Sequence, residues 1–139
     1  MKKYKIGYTS GVYDMFHIGH LNILRRAKEM CEILVVGVTT DELCFSRKNK
    51  YPIICQNDRK AIVAAIRFVD KVIDQSDMDK FKVVKELGAD VVFVGSDWKG
   101  TPSWNRYEEE FKSIGCTVEY LEHTDGISST LLRDKLKFK

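Results

Sequence analysis

Short apolar runs rich in β-branched residues recur along the chain at positions 4–9, 33–38, 71–73, 91–94 and 117–121. The first, second and fourth are apolar nearly throughout rather than alternating, the pattern of strands covered on both faces. Between them the pattern changes to a helical period. Leu21, Leu24, Ala27 and Lys28 form one stripe, Ile62, Ala65, Ile66 and Val69 a second, and Phe81, Val84 and Leu87 a third. Leu87-Gly88 reads as a helix end with glycine at the C-terminal cap. Another helix closes over 111–114 before Gly115, and a last one is expected from about Ser129 to Lys137.

Alternating strands and helices predict an α/β chain with a parallel sheet and right-handed crossovers. The expected architecture is a Rossmann-like open parallel sheet of about five strands with helices on both faces. The 139 residues show no repeat, no linker and no low-complexity tract, so residues 1–139 are read as a single domain. Ligands in such sheets bind beyond the carboxyl ends of the strands. This directs attention to the loops at 10–20, 39–57, 95–104 and 122–130.

Charge narrows the classes further. Twenty-three Lys and Arg against twenty Asp and Glu leave a net charge of +3, too mild and too scattered for a dedicated nucleic-acid surface. No apolar run approaches the ~18 residues of a membrane span, and the start carries no signal-peptide core. Cys31, Cys44, Cys55 and Cys116 form no CxxC pair. They read as small hydrophobes in a reducing cytoplasm rather than as a disulfide framework or a zinc site.

Chemistry concentrates in the loops. Residues 10–20 read Ser-Gly-Val-Tyr-Asp-Met-Phe-His-Ile-Gly-His, with His17 and His20 flanking Gly19 where the first strand gives way to the first helix. A spacing of three puts both imidazoles on one face of a starting helix. The helix N-terminus adds unpaired N–H groups and positive potential, which suits an anion with many oxygens, above all phosphates. The alternatives are two ordinary histidines, one capping the helix and one packed, or a metal pair, which no acidic cluster adjoins. The last loop carries Asp125-Gly126, a turn signal, then Ser128-Ser129-Thr130 opening a helix. Those hydroxyls read either as caps or as a second phosphate cradle. Arg47, Lys48 and Lys50 in the second loop are either a solvated charge run or an anion site. Arg59 and Arg67 are expected on the helix after it, about 80° apart around its axis. Arg67 lies among Ile66, Phe68 and Val69, where a buried guanidinium needs Asp70 or a ligand phosphate. In the 95–100 loop, Trp98 either packs or lines a nucleotide pocket.

Taken together, 10–20 resembles the HxGH signature of nucleotidyltransferases. Residues 123–130 resemble the TxGIST signature of the cytidylyltransferase family, as does the 95–100 loop, and the motifs follow in the same order over almost the whole chain. The resemblance implies an enzyme that transfers CMP from CTP to a small phosphorylated alcohol, glycerol 3-phosphate being the model. Choline, ethanolamine or sugar-linked phosphate are alternative acceptors. An adenylyltransferase and a non-catalytic nucleotide-binding protein are the more distant readings.

The resemblance assigns His17, His20, Lys48 and Arg67 to catalysis. It assigns Val12, Tyr13, Asp14, Gly19, Arg59, Asp97, Trp98, His123, Thr124, Gly126, Ile127, Ser128, Ser129 and Thr130, with the histidines and Arg67, to the nucleotide. Arg47, Lys48 and Lys80 fall to the acceptor. Mg²⁺ would come with the CTP phosphates, and a cytoplasmic homodimer making surface-polymer precursors is implied. One position departs from the family: His123 stands where an arginine is usual, so a permanent fork of donors becomes an imidazole.

Overall fold

The computed structural model describes residues 2–122 together with 131, 132, 134 and 135. Its strands are β1 (Tyr4–Gly11), β2 (Cys31–Thr39), β3 (Lys71–Gln75), β4 (Val91–Gly95) and β5 (Thr117–Leu121). Every pairing is parallel, and the spatial order is β3-β2-β1-β4-β5. The connections carry α1 (Ile18–Met30), α2 (Asp41–Lys48), α3 (Gln56–Ala64), α4 (Lys80–Leu87) and α5 (Pro102–Lys112). The chain builds outward from β1 through β2 to β3, then returns past β1 for β4 and β5. That reversal leaves a crevice at the carboxyl ends of β1 and β4.

The continuous apolarity of the central strands follows from a helix layer on each side. Leu34, Val36, Val38, Val91 and Phe93 pack on one face with Leu24 and Ala27 of α1 and Val63 of α3. Tyr8, Val35 and Val92 pack on the other with Val84 of α4 and Trp104 and Phe111 of α5. Neighbouring residues of one strand thus serve opposite layers, as a two-residue period requires. Gly88 ends α4 as expected. It adopts φ 65°, and its N–H closes on the carbonyls of Lys85 and Val84.

The structure differs from the sequence reading in three places. The 39–57 segment is not all loop, because α2 lies within it. Only Cys44 of that helix is buried, so no apolar stripe marks it. Its ends define it instead: Thr40 Oγ1 accepts from Leu43 N at 3.1 Å, Asp41 and Glu42 lie in the first turn, and Arg47 and Lys48 in the last. Next, α3 stops at Ala64, short of the stripe that suggested it. Ile66 and Val69 reach the core from tightened turns beyond the helix, through Ile66 N to Val63 O and Val69 N to Ile66 O. Finally, 95–104 holds a 3₁₀ turn, Ser96–Trp98, and then the start of α5 with proline in its first turn. Of the expected last helix, residues 131, 132, 134 and 135 are described, and all are helical.

Candidate active site

Beyond Gly11 the chain crosses the end of the sheet in a tight loop. Tyr13 and Met15 take φ 55° and 49°, a left-handed region uncommon for side-chain-bearing residues. Asp14 holds that loop in place. Its buried carboxylate accepts Ile53 N and Ile54 N, each at 2.9 Å, tying the first loop to the segment before α3.

The loop delivers His17 to the N-cap of α1, where the two histidines cap the helix reciprocally. His17 Nδ1 accepts Gly19 N at 3.0 Å, and His20 Nδ1 accepts His17 N at 3.2 Å. The rings stack with centroids 3.9 Å apart, and Tyr13 meets His20 edge-on at 5.4 Å. Burial lowers the pKa of both rings. For His20, burial first and then the neighbouring His17 bring it down to about 4, against a smaller opposing pull from Asp14. Both rings are therefore neutral at pH 7. Since a backbone N–H occupies each Nδ1, each ring proton sits on Nε2. Two N–H donors on neighbouring, nearly parallel rings at the start of a helix are suited to an anion.

Beside the loop lies a cavity of about 350 Å³, floored by Ser10 and Gly11 of β1 and Phe93 of β4. Arg47 and Lys48 enter it from the last turn of α2, Lys80 from the first turn of α4, and Trp98 from the 3₁₀ turn. Lys80 Nζ donates to Ser10 Oγ at 2.9 Å. Burial, and secondarily the Arg47 charge, bring the Lys80 pKa down to about 8. Asp97 is exposed on the same 3₁₀ turn as Trp98. Gly11 and Val12 bring the cavity up to the loop that carries the histidines.

Two arginines take other places than expected. Arg59, read as a nucleotide ligand, is 1% exposed and is committed to the protein. Its guanidinium donates to the carbonyls of Ile54, Val12 and Thr39 at 2.7–2.9 Å and to Asp41 Oδ1. It braces the first loop against β2 and α2, which leaves no room for a phosphate. Arg67, read as buried and catalytic, is exposed in the turns after α3, with its guanidinium 5.3 Å from the Phe68 ring. It precedes the amino end of β3, whereas the histidines follow the carboxyl end of β1, so the structure does not bring it to them. Asp70 instead accepts Lys28 Nζ at 2.6 Å and Leu34 N at 2.7 Å. His123, Thr124, Gly126, Ile127, Ser128, Ser129 and Thr130 lie outside the described residues.

Sequence reasoning missed Asp77 and Met78 on the β3–α4 connection and Arg106 on α5, and it raised Trp104 and Tyr107 only as aromatics open to an acceptor head group; all five border the cavity. The spacing of Trp104 and Tyr107, three apart on one helical face, was the available signal.

Comparison with known proteins places these features. The cytidylyltransferase-like family model matches residues 8–135. A glycerol-3-phosphate cytidylyltransferase of Staphylococcus aureus is 38% identical over 130 residues, covering 92% of each chain. An FAD synthase of Thermococcus sibiricus is 35% identical over 119 residues, covering 84% of this chain and 80% of its own. Among solved structures, a lipopolysaccharide core biosynthesis protein of Thermoplasma volcanium superposes with a TM-score of 0.71 at 26% identity. That match covers 87% of this chain and 97% of its own.

Proposed function

This chain belongs to the cytidylyltransferase-like family, and we propose that it is the enzyme that transfers CMP from CTP to a phosphorylated alcohol of the glycerol 3-phosphate kind. The observation that carries this reading is the capped histidine pair, two neutral Nε2–H donors beside a cavity bordered by Arg47, Lys48 and Lys80.

In the reaction, an oxygen of the acceptor phosphate attacks the α-phosphorus of CTP. A new P–O bond forms there, the bond to the bridging oxygen of the β-phosphate breaks, and pyrophosphate leaves with that electron pair. An ionised acceptor phosphate needs no side-chain base. The protein's part is therefore positioning and donation to developing charge. His17 and His20 donate to triphosphate oxygens at the α1 N-terminus. Lys80, Arg47 and Lys48 hold the acceptor phosphate in the cavity and offset the repulsion between two anions. Trp98 and Asp97 border the nucleoside.

Among the described residues no group of three or more His, Cys, Asp or Glu could hold a metal ion; the family resemblance is what favours Mg²⁺ arriving with the phosphates of CTP. With Mg²⁺ on the nucleotide, the metal would supply charge neutralisation for the leaving pyrophosphate. The family likeness supports a homodimer in the cytoplasm, with the CDP-alcohol serving as a precursor for a surface polymer. No helix among the described residues is long and apolar enough to cross a membrane.

Replacing His17 or His20 by alanine is expected to lower kcat by about 10²–10³, the loss typical of one preorganised donor to a developing oxyanion. Steady-state pyrophosphate release is the assay, and near-wild-type turnover in both variants would sink the assignment. The FAD synthase relative favours a second reading, adenylyl transfer. Competition of ATP against CTP for the apoprotein separates the two, and preference for CTP is the expected result.

A further inference from the structure

Tyr8 sits in the middle of the central strand, is fully buried, and spends its hydroxyl across the sheet. The ring passes over β2 at Gly37, where a methyl group would collide with the hydroxyl. Glycine is therefore required at 37 for closeness rather than for φ. The hydroxyl donates to Oε1 of Gln75, the last residue of β3, itself 1% exposed. The Gln75 amide nitrogen then donates to the carbonyl of Asp77 in the connection to α4. Asp77 Oδ1 accepts Asp79 N at 2.9 Å, and Asp79 caps α4 by accepting Phe81 N at 3.1 Å. Lys80 is the first residue of that helix and reaches back to Ser10, two residues beyond Tyr8 on β1. The contacts close a ring from β1 through β3 and the connection and back to β1.

A phenylalanine would fill the Tyr8 position without the cost of burying a hydroxyl. The hydroxyl and amide together fix where the 76–79 connection leaves the sheet, and that connection forms one wall of the cavity through Asp77, Met78 and Lys80. We propose that Tyr8 and Gln75 are positioning residues for the acceptor, a buried strut that sets Lys80 and the β3–α4 connection against the phosphate the cavity receives. The kinetic part of this inference rests on the function proposed above, whereas the strut itself does not.

Tyr8→Phe keeps the ring and removes the hydroxyl. It is expected to raise the KM for the phosphorylated acceptor roughly two- to ten-fold, the effect of one net hydrogen bond, with the KM for CTP and kcat within two-fold of wild type. Gln75→Glu keeps an acceptor for Tyr8 but loses the donor to Asp77, and it should reproduce the same split. A second readout follows Lys80 itself. Isotope-labelled methyl groups on lysine, assigned with Lys80→Arg, should titrate near pH 8 in the wild type and move toward the ordinary lysine range in Tyr8→Phe. A lower melting temperature with both acceptor KM and the Lys80 midpoint unchanged would overturn the strut. So would parallel rises in KM for both substrates. A wild-type protein that transfers no nucleotide, yet shows the Lys80 midpoint shift in Tyr8→Phe, would overturn the proposed function and leave the strut standing.

Discussion

At the scale of single residues, protonation state carries the chemistry. His20 titrates at about 4 when folded, against about 6.5 for a free imidazole. Between those values the unfolded chain binds more protons than the folded one, so stability falls as pH falls through that window. Function fails with it, since a protonated Nδ1 cannot accept His17 N–H and the reciprocal cap opens. Turnover measured with pH should drop on the acid side below about pH 5, and circular dichroism melts should lose midpoint as pH falls from about 6.5 to about 4. On the alkaline side Lys80 loses its charge above about pH 8, and KM for the acceptor should rise there while KM for CTP does not. Arg59 supports a different expectation. Replacing it by methionine strands three carbonyls and Asp41, and should cost on the order of 3 kcal/mol in urea unfolding. A variant as stable as wild type would contradict the bracing role. The histidine pair was legible in sequence because its chemistry is local, two rings and a glycine within four positions. The arginines were not. Whether a guanidinium meets a ligand or three backbone carbonyls depends on which distant loops arrive beside it.

At the scale of elements, the apolar stripes and caps differ in what they reveal. Strands covered on both faces announce themselves, as β1, β2 and β4 do, and the partly buried edge strand β5 also appears at the expected bounds. Helix α2 has no stripe because it lies at the rim of the sheet, with Cys44 alone buried, and only its capping threonine and graded charge mark it. The Ile62–Val69 stripe overran α3 because Ile66 and Val69 pack from turns, a use of periodic spacing that sequence cannot tell from helix. Gly88 tests the cap reading directly. With φ at 65° and open space around its missing Cβ, alanine meets no neighbour but bears the left-handed backbone cost. Gly88→Ala should lose roughly 1 kcal/mol of unfolding free energy, and an unchanged urea midpoint would show that the cap can relax.

At the scale of the whole molecule, the sheet order explains why the site assembles where it does. Building outward on one side of β1 and then returning to the other leaves the first and fourth strands adjacent, with loops that diverge above them. The histidine loop after β1, the cations of α2 and α4, and the turn after β4 meet there although they are spread over some ninety positions of sequence. The parallel α/β class was readable from alternation alone. The grouping of Arg47, Lys48 and Lys80 came from the family resemblance and not from the pattern, because their meeting in one cavity depends on β3 lying at one edge and α4 crossing back over the sheet. The family match over residues 8–135 agrees with this arrangement. The most direct test of the central claim is pyrophosphate release from CTP and Mg²⁺, with and without glycerol 3-phosphate. Release that depends strongly on the acceptor is the predicted result. Equal release in its presence and absence, or release only when ATP replaces CTP, would contradict the account.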